Sequence, residues 1–423
     1  MASRRARSAH PDTPRPEEDL PSTPSASASR QVAGVVVMRD CYGGNLAIKQ
    51  KTVEYLPKAP REVAADYSSR LARSVFHNFT RRTVEGLVGL VFRVDPVLGE
   101  DVPATIAQQW ENIDNAGTHG AVFLRETMTD SLTAGHAAVL VEYPDTGEVA
   151  PNLGVERDVL KLRPYWIPIK KENLLSWRVA NEDGRTVLTQ LVVRECIIAP
   201  AGEFGEAEVT RYRVFTRERT PVGVVVSWRL LRVTERKTVV VDAFGAYPTQ
   251  DEIPVAEFTT SGKRSLFESD PPLLDLAFLN IAHYQQWSDN ATSMHMTCVP
   301  ILFTAGMKMV DAKGKEIEVG PNSGLNSTNP ESKAAYVSHD GSAIGEVRQA
   351  LNDLKADIGA LGIAMLAPQT RSAETAEAKR IDKSGSDSAL SASARGQQDG
   401  AERCLYFHAK YLGLDDGGSV VIN

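Results

Sequence analysis

Cysteine is scarce in this chain and widely scattered. Cys41, Cys196, Cys298 and Cys404 stand far apart with no C-x-x-C pair, which argues against a disulfide scaffold or a zinc ribbon and fits synthesis in a reducing cytosol. Long apolar runs are missing too. None approaches the roughly 18 to 20 residues of a membrane-spanning helix, so no membrane partner is expected. An excess of positive charge is also absent: 47 basic residues face 54 acidic ones, a formal net charge of -7, which disfavours a protein that wraps nucleic acid with a generally basic surface but leaves room for a local patch. A secretory leader is lacking, because Arg4, Arg5 and Arg7 are followed by DTPRPEEDLPSTPSASAS without an apolar core. This Pro- and Ser-rich composition marks residues 1–32 as a disordered tail.

The usual signatures of catalysis are lacking as well. TSGKRS, residues 260–265, contains Gly262-Lys263, but a phosphate-binding loop would need Gly where Glu257 stands and Ser or Thr where Arg264 stands. Ser323 in GPNSGLN has no G-x-S-x-G frame and reads as a loop serine. His77, His119, His136, His283, His295, His339 and His408 make no H-x-x-x-H or H-E-x-x-H pair, and the acidic residues are not grouped as a two-metal site requires. No catalytic residue, metal site or cofactor is therefore expected.

What is present is hydrophobic periodicity. Forty-two per cent hydrophobic and 24% charged residues are globular proportions, and 423 residues suffice for two or three structural units. Val63, Tyr67, Leu71, Val75, Phe76, Phe79, Val84, Leu87 and Val88 recur at helical steps, with a break expected near Thr80 or Gly86. Helices are also expected over about 104–115 and 120–134, the second stopped by Gly135 and followed by a strand, HAAVLVEYP, at 136–144. From about Lys161 to Pro254 the period changes to two and β-branched residues dominate, which predicts antiparallel hairpins. Pro271-Pro272 mark a further helix start. Short strands are expected between Pro300 and Asp340, in ILFTAGM, KGKEIEV and AAYVS.

The strongest pattern follows: Ile344, Val347, Leu351, Leu354, Ile358, Leu361 and Met365 alternate steps of three and four, the seam of a helix packed lengthwise on others. It ends in LAPQTRSAE, and an Ala- and Ser-rich helix resumes from Thr375 to about Leu412 with Gly385 and Gly396 as possible kinks. One short stretch, SMHMTC at 293–298, concentrates soft ligands. On a helix its side chains diverge by about 100° per residue, so they cannot converge on one ion unless the helix unwinds. Adaptable packing is the better reading of Met294 and Met296.

The order of these segments resembles the portal protein of tailed bacteriophages, and within that group a portal-like family formerly known only as a domain of unknown function. The likeness is carried by YSSRLARSVFHNFTRRTVEGLVGLVFR at 67–93, LTAGHAAVLVEYP at 132–144, ENLLSWRV at 172–179 and PPLLDLAFLNIAHYQQWSDNATSMHMTCVPILFTAG at 271–306. SALSASARGQQDGAERCLYFHAKYLGL at 388–414 adds a weaker match. The resemblance implies an α+β portal fold: a wing over 33–270, stem helices over 271–297 and 343–365 around an α/β clip at 298–342, a tunnel loop at 366–374, and a return helix and start of a crown at 375–423.

It further implies a non-enzymatic subunit of a ring, usually dodecameric, at the capsid vertex of the virion, assembled in the host cytoplasm. Such a ring conducts double-stranded DNA during packaging and ejection. Its partners would be other copies of itself, the terminase large subunit, the major capsid protein and scaffold, and a head-completion or tail adaptor protein. Gln369, Thr370, Arg371 and Ser372 would face DNA without reading its sequence, with Lys379, Arg380 and Lys383 as weaker channel candidates. Ile344, Val347, Leu351, Leu354, Ile358 and Leu361 would pack the stem, with Met294 and Met296 at or near contacts between subunits. Relatives continue into a further helical crown where this sequence stops at GGSVVIN. The competing expectations are another virion protein, an adaptor or minor capsid subunit, and a metal-dependent enzyme centred on His283, His295 and Cys298.

Overall fold

The structure is a computed structural model that describes residues 19–144, 161–260, 263–298, 301–306, 329–337, 342–364 and 376–422. Helices and antiparallel sheets occupy separate segments, an α+β arrangement. Two compact units are formed. The first comprises residues 1–43, 78–278 and 360–423, and the second residues 44–77 and 279–359.

In the first unit, strand β2 (His136–Glu142) is the centre of a three-stranded antiparallel sheet, between β3 (Tyr165–Ile169) and β9 (Val255–Thr259). All seven residues of β2 are buried, which explains its unbroken apolar run. Helix α6 (Gly120–Ala134) feeds it directly. His119 caps α6 by accepting a hydrogen bond at Nδ1 from the Ala121 amide (3.2 Å), and Gly135, at φ 95°, ends it as the sequence predicts. A Cβ on Gly135 would come within 2.8 Å of the Asp270 backbone.

The β-rich stretch forms a five-stranded meander of β4 (Leu174–Glu182), β5 (Arg185–Ala201), β6 (Gly205–Thr220), β7 (Gly223–Val233) and β8 (Val239–Ala246). Its two faces are both apolar over the body of the sheet. Leu191, Val193, Phe215 and Val226 join Ala138, Leu140, Ile169 and Phe267 in one core. Leu175, Val192, Val214, Leu231 and Val239 form a second cluster with Leu20. Leu20 and helix α1 (Ala26–Gly43) therefore correct the expected tail over residues 19–32, and residues 1–18 lie outside the described residues. Ser25 donates its amide to the Leu175 carbonyl (2.7 Å), and its hydroxyl accepts from the Ala28 amide (3.2 Å). A serine-rich run that reads as disorder here supplies a helix cap.

The long helix expected through 67–92 is two: α3 (Ala64–Arg73) in the second unit and α4 (Phe79–Val91) in the first. The chain is extended at Ser74, and Asn78 starts α4 by accepting a hydrogen bond from the Arg81 amide (2.8 Å). The break thus lies just before Thr80, and Gly86 sits inside α4. The helix expected over 104–115 is α5 (Ala104–Gln109), continued by a 3-10 turn at Trp110–Asn112.

Helix α9 (Ala376–Tyr411) lies along β9. Gly396 and Gly400, one turn apart, face that strand. A Cβ at Gly400 would stand 2.6 Å from the Phe258 ring, and one at Gly396 would strike the Thr259 carbonyl. Gly396, expected as a kink, instead makes room for a neighbouring backbone in an unbroken helix. Val97–Leu98 (β1) and Val420–Val421 (β12) pair antiparallel at the far end of the same unit.

The second unit holds α2 (Asn45–Gln50), α3, the larger part of α7 (Leu274–Cys298), the strands β10 (Ile301–Ala305) and β11 (Lys333–Val337), and most of α8 (Ser342–Ala364). Residues 44–77, expected in the wing, cluster with the helix pair because they bond to α7. Gln285 donates to the Tyr55 carbonyl (2.9 Å), Asn280 to the His77 carbonyl (2.8 Å), and the Phe76 and Tyr284 rings meet edge to face at 5.9 Å. The expected strand KGKEIEV lies outside the described residues.

Candidate functional site

Two long helices bracket a small antiparallel pair in the second unit, and most of the residues singled out in the sequence fall on or beside them. Helix α7 has 25 residues and α8 has 23, about 37 and 34 Å at 1.5 Å per residue. Between them β10 and β11 pair from Ile301↔Val337 to Ala305↔Lys333. Ile301 follows the end of α7 by three residues, and Val337 precedes the start of α8 by five, so the strand pair stands in the chain directly between the two helices.

The seam of α8 is the buried side of that helix. Leu351 is 6% and Ile358 2% exposed, Ile344, Val347, Leu354 and Leu361 are half-buried, and Glu346, Arg348, Asp353, Lys355 and Asp357 are exposed. Met365 lies outside the described residues. On α7 the opposite holds for the methionines: Met294 is 43% and Met296 63% exposed. The helix runs unbroken through Cys298, which turns Met294, His295 and Met296 to different sides. Asn290 Nδ2 lies 3.7 Å from Met294 Sδ, a local contact along the helix. Among the described residues, no three His, Cys, Asp or Glu side chains stand close enough to share an ion.

Deeper on α7, His283 and Trp287 stack with centroids 6.4 Å apart, and His77 meets both edge to face at 5.5 and 4.7 Å. Burial pushes the His283 imidazole down to about 4, with His77 and Lys355 adding to the shift, and His77 is lowered by burial and by Lys355. Both rings are therefore neutral at pH 7 and serve as aromatic packing. Next to them Arg70 is held by Glu62 Oε1 (2.7 Å) and Oε2 (2.8 Å), the Pro57 carbonyl (2.9 Å) and Ser288 Oγ (3.3 Å). Hydrogen bonds from Arg70 and then from the Ala59 amide hold the Glu62 carboxyl down at about 2. This fork ties the 57–62 loop to α3 and α7. An open groove of about 700 Å3 lies beside it, lined in part by Pro57, Lys58, Pro60, Arg61 and Thr292.

One arrangement in the first unit resembles catalytic machinery, and its surroundings argue otherwise. His136 Nδ1 is 2.9 Å from Ser269 Oγ, and Lys171 Nζ donates to the Ala134 (2.7 Å) and Ser269 (2.5 Å) carbonyls. His136 and Ser269 are 0% and 1% exposed, which closes the hydroxyl to solvent, and among the described residues no carboxylate orients the ring as a nucleophilic relay needs. Burial, the largest influence, lowers Lys171 to about 8. Its ammonium closes the carbonyl end of α6 and joins it to the segment before α7. This lysine was not legible in the sequence, because a single Lys in a β-rich stretch looks like any surface cation.

The proposed channel residues Gln369, Thr370, Arg371 and Ser372 lie outside the described residues. Lys379, Arg380 and Lys383 fall on the backbone course of α9, and their side chains lie outside what is described. Further along, α9 is fixed by Gln397 Nε2, which donates to Ser131 Oγ and to the Thr259 carbonyl, both at 3.3 Å.

Comparison with known proteins adds a partial family match. Residues 272–412, about a third of the chain, match a family described as a domain of unknown function, DUF4055. No curated protein matches. Among solved structures, the chain is similar to one from the virion of a native gene transfer agent particle, at 11% identity over 88% of this chain and 87% of that one, with a TM-score of 0.39. It is also similar to one from the neck of the empty particle determined with C6 symmetry, at 12% identity over 90% and 89%, TM-score 0.41. A third comes from the neck of the native particle with C12 symmetry, at 10% identity over 89% of each chain, TM-score 0.37. The family match spans α7, the β10–β11 pair, α8 and all of α9, so the segment from α7 through α9 is the part of this chain shared with that family.

Proposed function

We propose that this chain is a subunit of a portal, a closed, dodecameric ring at a capsid vertex through which double-stranded DNA is packaged and later ejected. The reading is supported above all by one observation: two long helices bracket an antiparallel strand pair, and the chain then returns through α9 to the first unit's sheet. A helix pair with a small strand module at its tip is the architecture a stem and clip require. In that ring residues 366–374 face the channel, with Arg371 repeated by symmetry into a cationic belt. A net charge of -7 suits a conduit, because many phosphate contacts would hold DNA instead of letting it slide.

The ring docks the terminase large subunit, which supplies ATP hydrolysis, and afterwards a tail adaptor. Major capsid protein and scaffold surround it in the virion. Met294 and Met296, exposed in the single chain, pack at the contact with a neighbouring copy. An adaptor or minor capsid subunit is the alternative and would not need the helix-strand-helix order. The test is negative-stain electron microscopy of the purified full chain over a range of salt and protein concentrations. Rings with a central channel are expected; a monomer under every condition would sink the reading.

A further inference from the structure

Among the described residues, the register of the meander leaves one part of it without neighbouring strands. β4 pairs with β5 only as far as Val193, and β7 pairs with β6 only as far as Tyr212. From Glu195↔Arg211 to Ala201↔Gly205, seven pairs, β5 and β6 continue as a bare two-stranded ribbon, about 20 Å long at about 3.4 Å per residue. Isolated ribbons of this kind are marginal in water. Its tip carries Phe204, 91% exposed, and one edge carries Ile198, 70% exposed. Between Cys196 and Thr210 it has Glu203, Glu206 and Glu208, all exposed, and no basic residue.

The groove beside Arg70 has complementary character. Its charged lining is Lys58, Arg61 and Arg70 against Glu62 and Asp289; Arg70 and Glu62 pair with each other, which leaves two cations, Lys58 and Arg61, to one carboxylate. Pro57 and Pro60 offer rigid apolar surface, and Thr292 Oγ1 is buried without a hydrogen-bond partner among the described residues. Arg61 is held at φ 74°, a left-handed conformation uncommon outside glycine. At about 700 Å3 the groove has room for a phenylalanine and the turn that carries it.

We propose that the β5–β6 ribbon is an assembly arm whose Phe204 tip docks in the Arg70 groove of a neighbouring copy, with Glu203 and Glu206 meeting that copy's Lys58 and Arg61. The arm and the groove are different surfaces, so the contact is head to tail, the kind that closes into a ring when the rotation between copies divides a full turn. The inference rests on the ring reading and deepens it by naming a contact that builds the ring.

Disulfide trapping in the full chain tests it. With Cys196 and Cys298 replaced by serine, Ala201→Cys, at the exposed ribbon tip with Phe204 kept, combined with Ala59→Cys should give a ladder of covalent dimers, trimers and larger species that needs both cysteines. Rings by electron microscopy without a ladder, or a cross-link confined to the monomer, overturn the arm and leave the ring. Neither rings nor cross-links sinks both. Independently, Glu203→Lys with Glu206→Lys should raise the concentration for half assembly about tenfold or more, and adding Lys58→Glu with Arg61→Glu should recover most of the loss. Unchanged assembly in the first pair also overturns the proposal.

Discussion

His283 and His408 show how a buried imidazole couples this fold to acidity. His408 Nε2 lies 2.6 Å from Gln109 Oε1, and burial, helped by Arg163, lowers it to about 3; His283 is lowered to about 4. An unfolded imidazole takes its proton near pH 6.5, whereas these two stay neutral in the fold. Their stabilisation is therefore complete above about pH 6.5 and is lost as the pH falls toward 4 for His283 and 3 for His408. Thermal melts from pH 7 to pH 4 should show a smaller decline for His283→Gln or His408→Gln than for the unsubstituted chain, whatever the starting Tm. Burial raises the carboxyls of Glu142 and Glu257 and so opposes this trend, which makes the difference between variant and parent the quantity to read. At the same scale, Gly400→Ala should cost about 1–3 kcal/mol in denaturant unfolding, because its new methyl must displace the Phe258 ring. A glycine inside a helical pattern looks the same in sequence whether it bends the helix or admits a neighbour. Gly396 was legible as special, but its role was not.

At the scale of elements, the seam of α8 should dominate the second unit's stability. Leu351→Ala or Ile358→Ala should cost about 2–5 kcal/mol, while Met294→Ala and Met296→Ala should leave the unfolding free energy of the isolated chain nearly unchanged and weaken assembly instead. Equilibrium unfolding beside sedimentation velocity separates the two effects. Long, strictly periodic elements such as α7 and α8 were legible to within about three residues at each end. The break between α3 and α4 was harder, since Leu71, Val75, Phe76 and Phe79 keep helical spacing across it. Asn78, a strong capping residue, was the available signal. The bare ribbon was not legible at all, because alternation shows that two strands pair and not where their outer neighbours stop.

For the whole molecule, the proposed channel makes charge the property to test. If the ring conducts DNA, Arg371→Glu should lower the amount packaged in an in vitro packaging assay without preventing ring formation, and the defect should shrink as salt rises and screens the phosphates. An unchanged yield would remove Arg371 from the channel. Element order, which suggested a helix pair around strands, carried most of what the sequence told about function. The division into two units was hidden because residues 44–77 reach the second unit through single hydrogen bonds and ring contacts with α7, which leave no periodic trace.

The docking of α9 on β9 also sets a timetable for synthesis. Phe258 and Gly400 meet in the finished fold but are separated by on the order of ten seconds of translation at about 5–20 residues per second. Until then Phe258 and its strand lack their cover. Every nascent chain passes through a window in which this surface is available to chaperones or to other nascent chains.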